Sequence, residues 1–278
     1  MFFLRSQRCL DLSQITQLQK QMDLISNNMA NVDTTGYKKQ NGTFTDMLFQ
    51  QFNNQKDETQ EVNRLTPNGI RQGVGAKLAQ TQLVMTQGSI QASDRVLDTA
   101  LTKEGQLYRV LVQDGGITEV RYTRDGAMYL SPVSDNENML VTKEGHAILD
   151  ENNNPILLNN NVKDYIFSST GTLTVQFNNG GQETINLGIS YANNPQSLEK
   201  TGDNLYRLSD MADENEAIMD LNGARRSEIA MKQNALEQSN VDISKEMVNL
   251  IATQRSYQFQ SRSISLADQM MGLVNGIR

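Results

Sequence analysis

Chemistry in this chain would have to come from very few residues. Cys9 is the one cysteine and His146 the one histidine among 278 residues. A nucleophile–base pair needs both groups within hydrogen-bond reach, and these two fall in segments of different periodicity. Glu144 stands two residues before His146, but positions two apart on a strand share one face, so the pair reads as a solvated edge. Cys9 reads as a small apolar residue on an N-terminal helix, and a lone cysteine forms no intrachain disulfide. A zinc site built from histidine and cysteine would lack ligands.

Asp210, Asp213, Glu214, Glu216 and Asp220 could together hold a hard cation. Their spacing does not match a helix–loop–helix calcium loop, whose central glycine is missing, and a solvated acidic linker is the simpler expectation. The glycines at Gly69, Gly73 and Gly75 have the wrong spacing for a phosphate loop, and no GxGxxG follows a strand. Asn41-Gly42-Thr43 fits a glycosylation sequon, a three-residue pattern that chance often supplies. These residues give no expectation of a catalytic residue, a metal ligand or a cofactor, and the chain reads as non-enzymatic.

Composition agrees with that reading. Hydrophobic residues make up 37%, there is no tryptophan, and the mean hydropathy is -0.52. The excess is in Asn, Gln, Ser and Thr, which suits long amphipathic segments that order against partners. The formal charge of -7 lies wholly in the middle: residues 61–232 hold 22 acids and 15 bases, residues 1–60 six of each, and residues 233–278 four of each. Neutral ends can approach copies of themselves without long-range repulsion, while an acidic middle suits a solvated outer surface. No basic stripe suggests nucleic-acid binding. The apolar opening Met1–Arg5 is broken from Ser6 onward, too short for a signal-peptide core. No apolar run approaches the roughly 20 residues of a membrane span. A soluble chain without membrane insertion is expected, and export, if it occurs, without a cleaved signal peptide.

The elements that position these residues are helices at the ends and strands between. Ile15, Leu18, Met22, Ile25, Met29 and Val32 recur at spacings of three and four, a heptad stripe. It stops at Asp33-Thr34-Thr35-Gly36, where Gly36 is a natural left-handed terminator. Near the other end, Ile243, Met247, Leu250, Tyr257, Ile264 and Met271 form a second seam, with polar Gln254, Ser261 and Asp268 on it. Val248, Ile251, Leu266, Met270, Leu273 and Ile277 add another apolar stripe. Two stripes on one helix predict two neighbours. No Pro or Gly interrupts residues 240–271, so a continuous helix of at least eight turns is expected. Six apolar side chains bury too little surface to offset the entropy of ordering the N-terminal helix by itself. It needs the C-terminal helix, neighbouring copies, or both.

Between the helices, short runs near 106–113, 119–124, 127–131, 147–149, 163–167, 173–177, 183–187 and 205–208 read as strands. Asp114-Gly115-Gly116, Asp125-Gly126, Glu144-Gly145, Asn152-Asn153-Asn154-Pro155 and Asn178-Asn179-Gly180-Gly181 read as the turns between them. The expected fold is α+β: a central all-β domain of short strands, sandwich-like or barrel-like, flanked by N- and C-terminal amphipathic helices that pair as a coiled coil. The expected divisions are 1–49 for the N-terminal helix and connector turn, 50–74 for a linker and 75–210 for the β-domain. An acidic linker at 211–232 and a C-terminal assembly helix at 233–278 complete them.

The turn after the first helix reads Asn27-Asn28-Met29-Ala30-Asn31-Val32-Asp33-Thr34-Thr35-Gly36-Tyr37-Lys38. It closely resembles the N-terminal signature of the bacterial flagellar rod and hook family. Asn234 through Asp242, with Leu236, Ser239, Asn240 and Val241, resembles the family's C-terminal signature, continuing through Met247, Leu250 and Ile251 to Tyr257. Gln72-Gly73-Val74-Gly75, Thr86-Gln87-Gly88-Ser89-Ile90, Tyr122-Thr123-Arg124-Asp125-Gly126 and Leu140–Gly145 are similar to its central β-domain. Three places depart from the family's pattern: Met1–Leu12, Gly105-Gln106-Leu107-Tyr108 where Gly-Phe-Phe is common, and Asn234 where Gly is common.

The resemblance implies a mechanical role. Subunits would stack helically into a tube of a distal-rod type, with paired terminal helices inside and the β-domain outside. The tube would transmit torque to hook and filament in the extracytoplasmic basal body. Partners would be other copies, neighbouring rod and hook proteins, and the flagellar type III export apparatus. The connector would comprise Asn28, Ala30, Asn31, Thr34, Gly36, Tyr37 and Lys38, and asparagine suits it because it tolerates unusual backbone angles and bonds nearby main chain. A hook-type or accessory rod subunit, or an exported adhesin or binding module, are the alternatives.

Overall fold

The computed structural model describes residues 2–46, 49–52, 70–73, 76–114, 116–209 and 213–276. Its elements follow in chain order. Helix α1 (Phe2–Ala30) precedes β1 (Gln40–Asp46), β2 (Phe49–Phe52), β3 (Ile70–Gly73), β4 (Ala76–Leu83), β5 (Ile90–Ala92) and β6 (Thr99–Leu101). Next come β7 (Gln106–Asp114), β8 (Ile117–Thr123), β9 (Tyr129–Pro132), β10 (Glu137–Val141), β11 (Ala147–Ile148) and β12 (Leu157–Asn159). They continue with β13 (Val162–Phe167), β14 (Thr172–Phe177), β15 (Gln182–Asn186), β16 (Ile189–Ala192), β17 (Leu198–Gly202) and β18 (Leu205–Leu208). The one-turn α2 (Glu214–Ala217), β19 (Ile218–Asp220), β20 (Met231–Gln233), β21 (Ala235–Glu237) and the long α3 (Ile243–Gly276) complete them. The architecture is α+β, with helices at both ends of a β-domain of many short strands.

The chain divides into two compact units. The first comprises Met1–Asn27, Asn41–Thr81 and Ser244–Arg278; the second comprises Asn28–Gln40 and Gln82–Ile243. In the first unit, α1 and α3 are accompanied by two small sheets, β1 with β4 and β2 with β3. The segment expected to be a linker, 50–74, therefore has strands at both ends, paired from Phe49 opposite Gly73 to Phe52 opposite Ile70. Four-residue runs rich in glutamine are too short to show a period of two, which is why composition alone misread them.

In the second unit, a ten-stranded sheet runs in the order β12-β10-β11-β7-β8-β18-β17, with β16 on β7, β19 on β16 and β9 on β10. Strand β7 sits at its centre and feeds both faces. Tyr108, Val110 and Val112 alternate into one core with Met128, Leu140, Leu173, Val175, Leu187 and Ile189, while Leu107 joins Tyr122, Tyr206 and Leu198 in another. The period of two does this directly. A three-stranded antiparallel meander, β13-β14-β15, contributes Phe167, Leu173 and Val175 to the first core. The turns fall where glycine and asparagine stand: Gly145 (φ 91°), Asn153 (φ 64°) and Gly180 (φ 84°) occupy the left-handed region, which these residues reach at low cost.

Two further expectations change. The stretch 211–232 is not a solvated linker throughout: β19 is paired with β16, Asp220 opposite Ser190, and a 3-10 turn covers Gly223–Glu228. Asp220 receives hydrogen bonds from Arg109 at 2.9 Å and from Ser190 at 2.6 Å, so this acid is a structural partner. Residues 210–212 lie outside the described residues. The C-terminal helix begins at Ile243 and not at residue 233, because β20 and β21 occupy 231–237 and Asn234 between them turns at φ 55°. Leu236, Ser239, Asn240 and Val241 thus precede α3.

Candidate functional site

The connector starts in the last turn of α1. Asn28 is buried, and its side chain closes residues 28–40 into a loop. Its Nδ2 donates to the Gln40 carbonyl at 2.9 Å, and its Oδ1 accepts from the Gln40 amide at 3.0 Å and the Tyr37 hydroxyl at 3.2 Å. An asparagine amide carries both donors and acceptor for this task. The helix ends in successive three-residue turns, Asn31 N to Asn28 O, Thr34 N to Asn31 O and Tyr37 N to Thr34 O, with Thr34 Oγ1 also donating to Asn31 Oδ1. Such bonds satisfy carbonyls that a helix end leaves open. Ala30 is exposed and Val32 lies past the helical end.

Gly36 is fixed by space as well as by angle. It has φ 66°, and a Cβ there would stand 2.6 Å from the Arg124 carbonyl carbon and the Asp125 nitrogen. Its amide donates to the Glu237 carbonyl at 2.7 Å. Left-handed geometry and close backbone approach both call for glycine. Around it, Thr35 Oγ1 donates to Asp125 Oδ1 at 3.0 Å, and Asn204 Nδ2 donates to the Thr35 carbonyl at 2.8 Å. The Lys200 ammonium lies 4.0 Å from the centre of the Tyr37 ring, a cation–π contact.

The centre of the site is a carboxylate between two cations. Lys38 Nζ donates to Glu237 Oε1 at 2.6 Å, and Arg124 Nε donates to Glu237 Oε2 at 2.5 Å. All three side chains are 1% exposed. Each cation also reaches backbone: Lys38 Nζ donates to the Thr86 carbonyl at 2.7 Å, and the Arg124 guanidinium to the carbonyls of Gln106 and Leu101. Glu237 Oε1 also accepts the Gly88 amide at 2.9 Å. Burial pushes the Lys38 ammonium below the usual lysine value, and Glu237 pulls in the opposite direction. A buried ion pair persists only where its other hydrogen bonds are made, and here they are.

Asn240 completes the junction. Its Oδ1 accepts the Lys39 amide at 2.8 Å, and its Nδ2 donates to the carbonyls of Val84 at 2.8 Å and Thr86 at 3.0 Å. Val84 N donates to Lys39 O at 3.0 Å. Ser239 Oγ accepts the Val241 amide at 3.3 Å, Val241 is buried, and Leu236 pairs with Gln91 on β5. The two end motifs and two of the four central motifs quoted from the sequence, Thr86–Ile90 and Tyr122–Gly126, therefore meet at one place. The residues that the sequence did not single out there are Glu237, Arg124, Asp125, Asn204 and Lys200. The first three stand inside quoted motifs, where a charge in a mostly neutral stretch was the available signal.

On α1 the expected stripe is the covered one: Ile25 is buried, and Ile15, Leu18, Met22 and Met29 are partly so. On α3 the covered face is Glu246, Leu250, Thr253, Tyr257, Gln260 and Ile264. Leu250, Tyr257 and Ile264 agree with the expected seam. Their interleaving partners are displaced by one residue, from Met247, Gln254 and Ser261 to Glu246, Thr253 and Gln260. Ile243, Met247 and Ile251 are exposed, and Val248, Phe259, Leu266, Met270 and Leu273 form an exposed apolar stripe outside the covered face, Phe259 standing at its border. The Met271 side chain lies outside the described residues. Gln19 Nε2 donates to the Tyr257 hydroxyl at 3.4 Å, and a groove of about 560 Å3 between α1 and α3 is lined by Gln14, Gln17, Leu18, Gln21, Phe259 and Gln260 among others.

His146 sits at the end of the Thr142–His146 turn, its amide on Thr142 Oγ1 at 3.2 Å, with Glu144 exposed. Among the described residues no three His, Cys, Asp or Glu side chains gather as metal ligands, and no helix is long and apolar enough to cross a membrane.

A buried ionic junction between two distant segments and a long helix with an exposed apolar stripe suit a structural protein. A family model for flagella basal body rod proteins matches residues 14–38, and one for the C-terminal part of flagellar basal body rod FlgEFG proteins matches residues 232–277. The chain is 44% identical over 268 residues to the flagellar hook-basal body complex protein FlhP of Bacillus subtilis, covering 95% of this chain and 96% of that protein. It is 33% identical over 270 residues to the flagellar basal-body rod protein FlgG of Borreliella burgdorferi, covering 96% of each. With the FlgG of Bacillus subtilis it shares 29% identity over 265 residues, 94% of each chain. The chain belongs to the flagellar basal-body rod family, whose members are structural proteins and not an enzyme family.

Proposed function

We propose that this chain is a structural subunit of the flagellar basal-body rod. Copies assemble helically through the terminal helices into a tube that transmits torque to hook and filament. The observation that carries this reading is the two-sided character of α3. One face is covered through Leu250, Tyr257 and Ile264, while the other carries Val248, Phe259, Leu266, Met270 and Leu273 exposed. A row of large apolar side chains on one exposed helix face is what an assembly interface needs. The seam residues of α1 and the residues 236–241 hold the helices and their connector in place for that contact. The chain performs no catalysis in this role and needs no cofactor, nucleic acid or membrane span.

Its partners are other copies and the neighbouring rod and hook proteins. Delivery is through the flagellar type III export apparatus without a cleaved signal peptide, to the extracytoplasmic part of the basal body. Gold labelling of a tagged chain in purified basal bodies tests the proposal. Label confined to the rod supports it, and label confined to the hook, or its absence from intact basal bodies, contradicts it.

A further inference from the structure

We propose that residues 231–241 form a strap that fastens onto an otherwise folded second unit, with Glu237 as its latch. The strap lies outside the ten-stranded sheet and the three-stranded meander. It pairs only with the three-residue strands β6 and β5, Met231 opposite Leu101 and Ala235 opposite Ala92. Its hydrogen bonds run to edges: Ser93 N to Asn234 O, Gln238 N to Ser89 O and Gly36 N to Glu237 O. Met231 anchors its start in the first core, and from Gln233 onward most of what fastens it is polar. Gln233 Nε2 donates to the carbonyls of Val96 and Tyr165 and its Oε1 accepts from Phe167, Asn240 holds residues 84–86, and Glu237 holds Lys38, Arg124 and Gly88.

These groups meet water when the strap lifts, so opening costs less than pulling a central strand such as β7 from its two cores. Closure is nevertheless demanding, because Lys38 and Arg124 share a single carboxylate. If the latch is neutral, closure buries two cations without a counter-charge. The strap also has hinges: Asn234 turns at φ 55°, and Gly223 at φ 57° opens the 3-10 turn that precedes it. A close fit marks its seat, since a Cβ on Gly88 would stand 2.0 Å from the Gln238 carbonyl oxygen. Fastening is therefore the step that joins the connector after α1 to the segment leading into α3.

Native-state hydrogen exchange on the full chain, read by mass spectrometry at increasing denaturant, tests this directly. The amides of Gly36, Ser93 and Gln238 should exchange together, at lower denaturant than those of the β7–β8 ladder. Glu237→Gln removes contacts that both the strap-open and the unfolded states lack, so it should accelerate both groups by a similar factor of about tenfold or more, whereas Val112→Ala, in the core that an open strap leaves standing, should accelerate the ladder while changing the strap group several times less. Exchange of both groups in one global step in the wild-type chain would overturn the proposal, as would equal acceleration of both in Val112→Ala. If Glu237→Gln fails to fold, Asn240→Ala takes its place, with an accelerated strap group supporting the strap and an unchanged one overturning it.

Discussion

Lys38 and Glu237, 199 residues apart in the chain, meet at 2.6 Å with both side chains buried. One sits ten residues past the start of the connector at Asn28 and the other six residues before α3, so a single carboxylate ties together the segments that lead to both terminal helices. Glu237 serves two cations and Lys38 serves one anion, and this asymmetry is measurable. Glu237→Gln should destabilise the second unit by about 3–5 kcal/mol, the range for breaking a buried pair. Lys38→Met should cost clearly less, because Glu237 keeps Arg124 and the Gly88 amide. Denaturant titration of the two variants checks the order; an equal or greater loss in Lys38→Met contradicts the reading of Glu237 as the hub.

Gly36 should tolerate no side chain. Gly36→Ala adds a left-handed alanine and a Cβ 2.6 Å from backbone atoms that cannot swing aside, for an expected loss of about 2 kcal/mol or more. Gly145→Ala, at φ 91° with nothing within 4 Å, pays only the backbone term and should lose about 1 kcal/mol. Thermal melts of the two variants separate the close approach from the angle.

The family resemblance made most of the connector legible, and turn chemistry made much of the β-domain so. Asn153 and Gly180 mark tight reversals, and both were visible as Asn/Gly clusters. Asn234, standing where a glycine is common, keeps the left-handed angle that a glycine would supply. The pairing of Lys38 with Glu237 was not legible, because an ion pair across the whole chain leaves no local periodicity. The α3 register was misread for a related reason. Its covered face interleaves Glu246, Thr253 and Gln260 with Leu250, Tyr257 and Ile264, while larger apolar side chains point away, so hydrophobicity alone favours Met247 over its buried neighbour. Counting acids likewise hid β19, whose Asp220 is bound by Arg109 and Ser190.

Alkaline pH should unfold the second unit through its buried tyrosines. Burial raises the ionisation of Tyr108 and Tyr206 above the ordinary tyrosine value of 10.0. A folded value above the unfolded one gives stability that is complete below pH 10.0 and is lost as the pH rises beyond it. The depressed value of Lys38 has the opposite sign: its cost is present at neutral pH and is relieved as the pH approaches 10.5. Tyr165 is raised and Lys200 lowered in the same way, so raised tyrosines outnumber lowered lysines three to two and stability should fall above pH 10. Tyr206→Phe should flatten that fall relative to its own neutral value, and an unchanged alkaline slope contradicts the assignment.

The exposed stripe of α3 should matter to assembly and not to the monomer. Phe259 is 72% exposed, so Phe259→Glu should change the stability of the isolated chain by no more than about 0.5 kcal/mol. The same substitution should abolish or sharply reduce swimming, while Phe259→Leu, which keeps an apolar side chain, should largely preserve it. Normal swimming with Phe259→Glu would place the assembly contact elsewhere on the helix.

Cryo-electron tomography of basal bodies in a strain lacking this chain bears most directly on the structural role. The expected result is a rod that stops short, without hook or filament, restored by the wild-type chain and not by Phe259→Glu. Full-length rods carrying normal filaments in the deletion strain would contradict it.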